Sequence, residues 1–284
     1  MKILMLLPAF NEEDSIPALL PRIRDAMETG GFDYRVVLVD DGSRDETAAR
    51  AERFRREMPI DILRHPINRG LGETIRDGIE HCVGIGGPGD IVVRMDCDDS
   101  QDPAYVATLV EKVQSGCDVV VTSRYQPGGG QSGVEGHRKL LSWGAGLYMK
   151  LLFPIRGLRD YSCGYRAYRW ETLKRAIDVY GNRFIERKDL GFSCTLEKVV
   201  KLDLLGARFG EVAHYLHYDR KKSVSKMASL PTTWGYLLLA MKYSKWFGVR
   251  RGYWKRRIAE FRDPRVSASP QEERPVSCAA SQAA

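Results

Sequence analysis

The feature that most constrains this chain is a series of short apolar, β-prone segments separated by longer amphipathic ones. Ile3–Leu7, Val36–Val39, Ile60–Leu63, Ile91–Met95 and Val119–Thr122 are apolar at nearly every position, so each strand must be buried on both faces. Between them Ile16–Met27, Glu46–Glu57, Thr74–Cys82 and Ala104–Val113 have helical periodicity, with helix-start residues such as Ser43 and Asp102-Pro103. The alternation predicts a βαβ series, an α/β fold with a mostly parallel central sheet between helical layers. In such sheets ligands sit beyond the carboxyl ends of the strands, where Pro8, Asp40, Asp96 and Ser123 fall. The 284 residues, 43% of them apolar, suffice for one catalytic domain with appendages.

Two of those strand ends carry acidic clusters, Val39-Asp40-Asp41 and Met95-Asp96-Cys97-Asp98-Asp99. Carboxylates at the ends of buried strands repel one another and lose hydration, so a cation or a set of donor hydrogens must compensate them. Asp96 and Asp98 can turn toward one point and offer hard oxygen ligands to Mg²⁺ or Mn²⁺, which would bridge a diphosphate. The competing account is an acidic turn that caps the next helix, a task Asp102-Pro103 can perform alone. Asp40-Asp41-Gly42-Ser43 suits a nucleoside lying across the sheet, with a carboxylate accepting from a base N–H or a ribose hydroxyl. Ser43 with Glu46 also forms a capping box, and both readings can hold together. Asn68-Arg69-Gly70-Leu71-Gly72 reads as a tight strand-to-helix turn that lacks the third glycine of a dinucleotide fingerprint.

Several arginines stand among polar turn residues: Ser123-Arg124-Tyr125, His137-Arg138 with Ser142, Ser162-Cys163-Gly164-Tyr165-Arg166, and Asp219-Arg220 ahead of Lys221, Lys222 and Lys226. Singly each reads as a surface charge; brought together they are what phosphate groups require. The Gly-rich Gln126–Gly136 is expected to be a mobile loop, either a lid or a linker, followed by an amphipathic helix over His137–Phe153.

With these motifs in place, the chain resembles glycosyltransferase family 2, in particular its dolichol-phosphate mannose synthase-like, polyprenyl-phosphate branch. Pro8-Ala9-Phe10-Asn11-Glu12-Glu13 resembles the family's opening motif, Val39-Asp40-Asp41-Gly42-Ser43 with Asp45 and Thr47 its nucleotide-binding turn, and Met95-Asp96-Cys97-Asp98 its Asp-x-Asp metal motif. The resemblance implies a single nucleotide-diphospho-sugar transferase domain of the Rossmann-like GT-A type. It also implies inverting, metal-dependent transfer of a hexose from GDP-mannose or a UDP-sugar to a polyprenyl phosphate. The same resemblance implies that Asp96 and Asp98 hold the metal, with Ser100 where some members supply a third ligand. Pro8, Phe10, Asn11, Glu12, Asp40, Asp41, Asp96 and Lys226 would bind the nucleotide sugar. Arg124 and Arg220 would contact donor phosphates, and Arg138, Ser142 and Arg166 would receive the acceptor phosphate. Ser223 and Glu211-Val212-Ala213 depart from the usual glycine and proline, leaving donor and acceptor identity open.

Organisation follows as a catalytic domain over 1–226, an aromatic and basic helical appendage over 227–262, and a disordered tail over 263–284 rich in Ser, Ala and Pro. Of the formal charge of +7, seven Lys or Arg fall between Lys242 and Arg257 with no acid, interleaved with Trp234, Tyr236, Leu237, Met241, Tyr243, Trp246, Phe247, Tyr253 and Trp254. That composition suits an interfacial helix on an anionic membrane, and its alternative is aromatics packed on the core with only the charges exposed. No segment approaches the ~20 apolar residues that span a bilayer, and the opening Lys2–Leu7 reads as a strand rather than a signal peptide. The six cysteines have no metal-type spacing and read as free thiols, which points to a cytoplasmic enzyme peripheral to a membrane. A soluble or polysaccharide acceptor is the alternative; it would need a base such as Asp160. A nucleic-acid-binding protein would leave the strand-end aspartates without a role.

Overall fold

A computed structural model describes residues 1–133, 144, 146–186, 193–220, 229–244 and 250–262. In chain order it contains β1 (Lys2–Ala9), α1 (Ile16–Thr29), β2 (Asp33–Asp40), α2 (Thr47–Glu52), β3 (Ile60–Arg64), α3 (Leu71–Ile85), β4 (Ile91–Arg94), α4 (Tyr105–Gln114), β5 (Val119–Ser123) and β6 (Gly130–Ser132). A helical stretch α5 (146–152) follows, then β7 (Arg166–Arg169), α6 (Trp170–Tyr180), α7 (Ser193–Leu204), β8 (Phe209–Ala213), β9 (Tyr215–His217), α8 (Ser229–Tyr243) and α9 (Arg251–Arg262).

Seven strands form one sheet in the order β3-β2-β1-β4-β7-β5-β8. β1 pairs in parallel with β2 and β4, β2 with β3, and β5 with β8, while β7 runs antiparallel to both β4 and β5. All five apolar runs are strands; Ile3–Leu7 and Val36–Val39 are buried on both faces, whereas β3, at the sheet edge, buries only Ile60 and leaves the rest of its run half-exposed. β7, Arg-Ala-Tyr-Arg, has no apolar run to announce it. Its reversed direction sets Arg166 opposite Arg94, at the carboxyl end of β4. The sheet order turns back between β1 and β4, so the ends of β1, β2, β4 and β5 share the edge where such folds bind ligands.

Three sequence expectations change. The Glu46–Glu57 helix is α2 followed by a 3-10 turn over Arg53–Arg56. Ser43 does not cap it: the cap position is Glu46, and Asp45 Oδ1 accepts the Thr47 N–H at 3.0 Å. Part of the Gly-rich segment is not a free loop but β6, paired in parallel with β9 from Gly130↔Tyr215 to Ser132↔His217. Gly133 ends it at φ +71°, where a Cβ would stand 2.6 Å from the Asp219 nitrogen. Residues 134–143 and the tail from 263, with the first part of the expected His137–Phe153 helix and the expected disorder, lie outside the described residues, while the later part of that helix is α5.

The aromatic, basic C-terminal helices pack partly on the core, as one of the two expectations had it, and leave other apolar side chains exposed. Leu239 and Tyr243 of α8 and Trp254 and Ile258 of α9 are buried in the main core. Lys201 on α7 joins them there: its Nζ lies 2.8 Å from Glu197 Oε1 and over the rings of Tyr180, Tyr243 and Trp254 at 5.6, 5.5 and 6.0 Å. Trp234, Leu237 and Met241, spaced along one stripe of α8, are 59%, 42% and 60% exposed. No helix among the described residues is long and apolar enough to cross a membrane, and the five described cysteines are free thiols.

His214, just after β8, is buried edge-on against Tyr105 and Tyr165 at 4.9 and 5.7 Å, and among the described residues neither ring nitrogen has a hydrogen-bond partner. Burial first, then the charge of Arg124, lowers its pKa from 6.5 to about 4. The unfolded chain therefore takes up the proton first as pH falls, and stability present above 6.5 is lost progressively toward 4. Between pH 7 and 5 the native chain should lose about 2 kcal/mol that a His214→Leu variant keeps. Denaturant melts at the two pH values check this; equal losses in both chains would refute it.

Candidate active site

The loops at the strand ends are built against each other. Asn11, at φ +50°, donates its N–H to Ser43 Oγ (2.9 Å), and its Oδ1 accepts the Arg44 N–H (2.9 Å). Glu12 N–H donates to Thr47 Oγ1 at 2.7 Å, Glu13 N–H to Asp45 Oδ2 at 3.2 Å, and Glu46 N–H to Glu13 Oε2 at 3.1 Å. Burial works to raise the Asp45 pKa, but the hydrogen bonds from Thr47 and Glu13 outweigh it and hold the carboxyl below its usual range. The first two motifs are thus halves of one braced wall, with Pro8 and Phe10 at its base, as β1 ends at Ala9.

Asp40 and Asp41 are both buried. Asp40 Oδ1 accepts the Ser43 N–H at 3.1 Å, and Arg64 Nε stands 3.6 Å from its Oδ2. A carboxylate of this turn was expected to meet a base or ribose, and Asp41 is already occupied within the protein. Its Oδ1 takes the Arg69 N–H (2.8 Å) and faces His65 Nδ1 (2.7 Å), and its Oδ2 takes the Gly70 N–H (2.9 Å). It braces the β3–α3 turn, which accounts for the Asn68–Gly72 motif. Beside this turn opens a cleft of about 350 Å³ lined by Gly42, Ser43, Arg64, His65 and Pro66.

Beyond β4 the acidic segment is equally supported. Arg94 Nη2 donates to Asp96 Oδ1, Gln101 Nε2 donates to Asp96 Oδ2 at 2.7 Å, and Gln101 Oε1 accepts the Asp96 N–H at 2.8 Å. The Arg94 guanidinium lies so close under Gly164 that a Cβ there would stand 1.6 Å from Nη1, which explains the glycine in Ser162–Arg166. Asp98 Oδ1 accepts from the Ser100 N–H (3.2 Å) and hydroxyl (2.5 Å). Asp99, at φ +58°, is paired to Arg22, which also meets Asp102 at 3.1 Å. Among the described residues no three His, Cys, Asp or Glu side chains converge on one point. Two carboxylates and a hydroxyl nevertheless fit Mg²⁺ or Mn²⁺, which takes one or two carboxylates and completes its shell with phosphate oxygens and water. Asp96, the more open of the pair with 28% of its side chain exposed, and Asp98 with Ser100 are the residues that would hold it.

Arg124, one residue past β5, is fixed by Asp160: Nε to Oδ2 at 2.8 Å and Nη2 to Oδ1 at 2.9 Å. Burial opposes the charge of Asp160, but Arg124 and the surrounding donors outweigh it and hold the carboxyl below its usual range. A carboxylate so occupied is a poor proton acceptor, so Asp160 itself is ill suited to be the base that a soluble acceptor would need. Arg166 requires a correction. It is fully buried, and its Nε, Nη1 and Nη2 donate to the carbonyls of Cys163 (2.7 Å), Thr195 (2.8 Å) and Tyr161 (2.8 Å). It is a post inside the protein, not an acceptor-phosphate contact.

The His217 N–H donates to the Ser100 carbonyl at 3.0 Å, so β9 lies against the acidic segment and delivers the Tyr218–Arg220 turn beside it. The side chain of Arg220, with Arg138, Ser142 and Lys226, lies outside the described residues. Sequence reasoning missed Arg94, Gln101 and Glu211 as supports. Arg94 did carry a signal, a lone charge inside an apolar strand next to carboxylates.

An open α/β sheet whose parallel strand ends carry an acidic pair after β4 and an arginine after β5 is the GT-A architecture. The chain belongs to glycosyltransferase family 2, whose model matches residues 5–190, and is a glycosyltransferase. It is 34% identical to an undecaprenyl-phosphate mannosyltransferase of Micrococcus luteus, over 80% of this chain and 88% of that protein. A dolichol-phosphate mannosyltransferase of Pyrococcus furiosus is 28% identical over 87% of this chain, which spans 65% of that protein. A polyprenol monophosphomannose synthase of Mycolicibacterium smegmatis is 31% identical over 64% of this chain and 68% of that protein. Among solved structures, glucosyl-3-phosphoglycerate synthase of Mycobacterium tuberculosis, in complex with Mn²⁺, UDP and phosphoglyceric acid, shares the fold with a TM-score of 0.59. The match has 20% identity and covers 84% of this chain and 78% of that one.

If Arg166 is a structural post, Arg166→Met strands three buried carbonyls and should destabilise the chain by about 3–5 kcal/mol. Acceptor KM measured on the folded fraction should not change. A stable variant with weakened acceptor binding would restore the phosphate role.

Proposed function

We propose that this glycosyltransferase moves a hexose, with inversion, from GDP-mannose or a UDP-sugar to a polyprenyl phosphate, using Mg²⁺ or Mn²⁺. The observation that carries the reading is the placing of Asp96-x-Asp98 and Arg124 past neighbouring parallel strand ends of one sheet edge, separated only by β7. The lipid-phosphate specificity of the three relatives supports the acceptor class. The Mn²⁺ and Mg²⁺ complexes of the fold neighbour support the metal.

A lipid monophosphate is already largely ionised near neutral pH, since its second pKa is ~6, so no general base is required. The demand is electrostatic: two anions must be held close together and in line. Asp96 and Asp98 hold the divalent ion, which when bound neutralises the departing diphosphate. Pro8, Phe10, Asn11, Glu12 and Asp40 form the nucleoside wall. Arg124 and Arg220, with Lys226, contact the donor's phosphates, and Arg138 and Ser142 receive the acceptor phosphate. Attack on the anomeric carbon from the face opposite the diphosphate inverts it.

The acceptor's chain is apolar, so the enzyme works at a bilayer surface, and we place it on the cytoplasmic face. Trp234, Leu237 and Met241 form an exposed apolar stripe on α8, and Arg251, Lys255, Arg256 and Arg257 supply positive charge on α9. Each such apolar side chain contributes about 1.5–3 kcal/mol when fully buried. Replacing all three by Ser should abolish cosedimentation with anionic vesicles while transfer to a short water-soluble polyprenyl phosphate continues. Unchanged cosedimentation would remove the stripe from the interface.

A panel of sugar nucleotides with a short polyprenyl phosphate, with and without EDTA, tests the reaction. Asp98→Ala should lower transfer by about 10²–10³-fold or more without loss of fold. Full activity in EDTA, or transfer that ignores the lipid phosphate, would overturn the reading.

A further inference from the structure

Arg124 is held with unusual completeness for a side chain expected to meet a ligand. Four of its five guanidinium N–H bonds find acceptors among the described residues. Nε reaches Asp160 Oδ2 (2.8 Å), Nη2 reaches Asp160 Oδ1 (2.9 Å) and Ser162 Oγ (2.6 Å), and Nη1 reaches Gln131 Oε1 (3.2 Å). The last is the longest and goes to a neutral acceptor, which makes Nη1 the nitrogen left to turn to a phosphate.

Asp160 is in turn fixed from behind. It is fully buried, and besides the guanidinium its oxygens accept the N–H groups of Arg124 (3.3 Å), Ser162 (3.2 Å) and Cys163 (3.1 Å) and the Ser162 hydroxyl (3.1 Å). Its loop is tied to the sheet by Glu211 on β8. Glu211 Oε1 accepts the N–H groups of Arg159 (2.6 Å) and Asp160 (2.7 Å), and Oε2 accepts Gln126 Nε2 (3.0 Å), two residues past Arg124. β5 and β8 are adjacent parallel strands with Val121 in register with Glu211, so a rigid ladder underlies both ends of the relay.

We infer that Asp160 is a positioning residue that fixes the direction in which Arg124 presents Nη1 to a substrate phosphate, with Glu211 holding Asp160 in place. The inference rests on the reading of Arg124 as a phosphate contact. Asp160 cancels much of the long-range attraction of Arg124 for anions. What the pair supplies is therefore orientation: a long, rotamer-rich side chain is locked before substrate arrives, and its remaining N–H meets charge that develops in the transition state. Losing that lock should lower kcat more than it weakens ground-state binding.

The test is a double-mutant cycle on the full chain with the donor and lipid phosphate that the sugar-nucleotide panel identifies. Asp160→Asn keeps the shape but sets an amide against the guanidinium. It should lower kcat by about 10–100-fold, with donor KM changed less than about threefold. In an Arg124→Ala background the same substitution should cause no further loss, because a residue acting through Arg124 has nothing left to act on. Asp160→Glu should recover part of the rate. Glu211→Gln, which keeps an acceptor for the two loop N–H groups, should lower kcat more mildly and also lose its effect when Arg124 is Ala; it carries the cycle if Asp160→Asn does not fold. Independent, multiplying losses at Arg124 and Asp160 would overturn the positioning role and leave the site intact. An Arg124→Ala chain with unchanged kcat would overturn the phosphate reading itself.

Discussion

Buried carboxylates gathered at the carboxyl edge of the parallel strands, three at strand ends and Asp160 on a neighbouring loop, are the constraint on which the rest of this structure depends. Asp40, Asp41, Asp98 and Asp160 are all buried, and each must recover by hydrogen bonds what it loses in hydration. The solutions are the loops themselves. Asp41 gathers the N–H groups of Arg69 and Gly70, Asp40 that of Ser43, Asp98 the N–H and hydroxyl of Ser100, and Asp160 the N–H groups of its own turn and Arg124. The site therefore exists as a set of turns folded around acids.

That economy explains which parts of the molecule are legible in the sequence. Strands buried on both faces, such as Ile3–Leu7 and Val36–Val39, announce themselves because burial leaves only apolar side chains there. The acidic motifs announce themselves because charge at a strand end has to be used. β7 is silent: its two core residues, Ala167 and Tyr168, sit between arginines, and Arg166 is buried through hydrogen bonds to carbonyls, so the same physics that hides Arg166 in the core made it resemble a ligand. β6 is silent for a related reason. Its three residues are a strand only because β9, more than eighty positions later, supplies the pairing, and no local pattern encodes that.

The C-terminal helices show the limit of composition from another side. Alternating aromatics and cations suit both a membrane surface and a protein core, and α8 divides the two by helix face. Tyr243, with Trp254 from α9, closes over Lys201, while Trp234, Leu237 and Met241 face outward. Lys242 and Arg250 both reach Glu186, at 2.8 and 3.2 Å, so the inner side is pinned by charge as well as by packing. An apolar stripe on a helix anchored in this way is held at a fixed height relative to the sheet, which a floppy appendage would not provide.

Fixed height matters because the proposed acceptor has two ends with opposite needs, an apolar chain that stays in lipid and a phosphate that must reach the strand ends. Arg94, Asp96, Arg124 and Asp160 already neutralise one another in pairs, so the donor side offers orientation rather than a large attractive field. Local concentration of the acceptor would then draw on the membrane surface, where lipid phosphate is confined to a plane, as well as on the basic side chains proposed to receive it. The paired side chains can accordingly be stiff and neutral as pairs while other Lys and Arg supply the attraction for anions, a division of labour consistent with a net charge of +7 and with the seven Lys or Arg between Lys242 and Arg257.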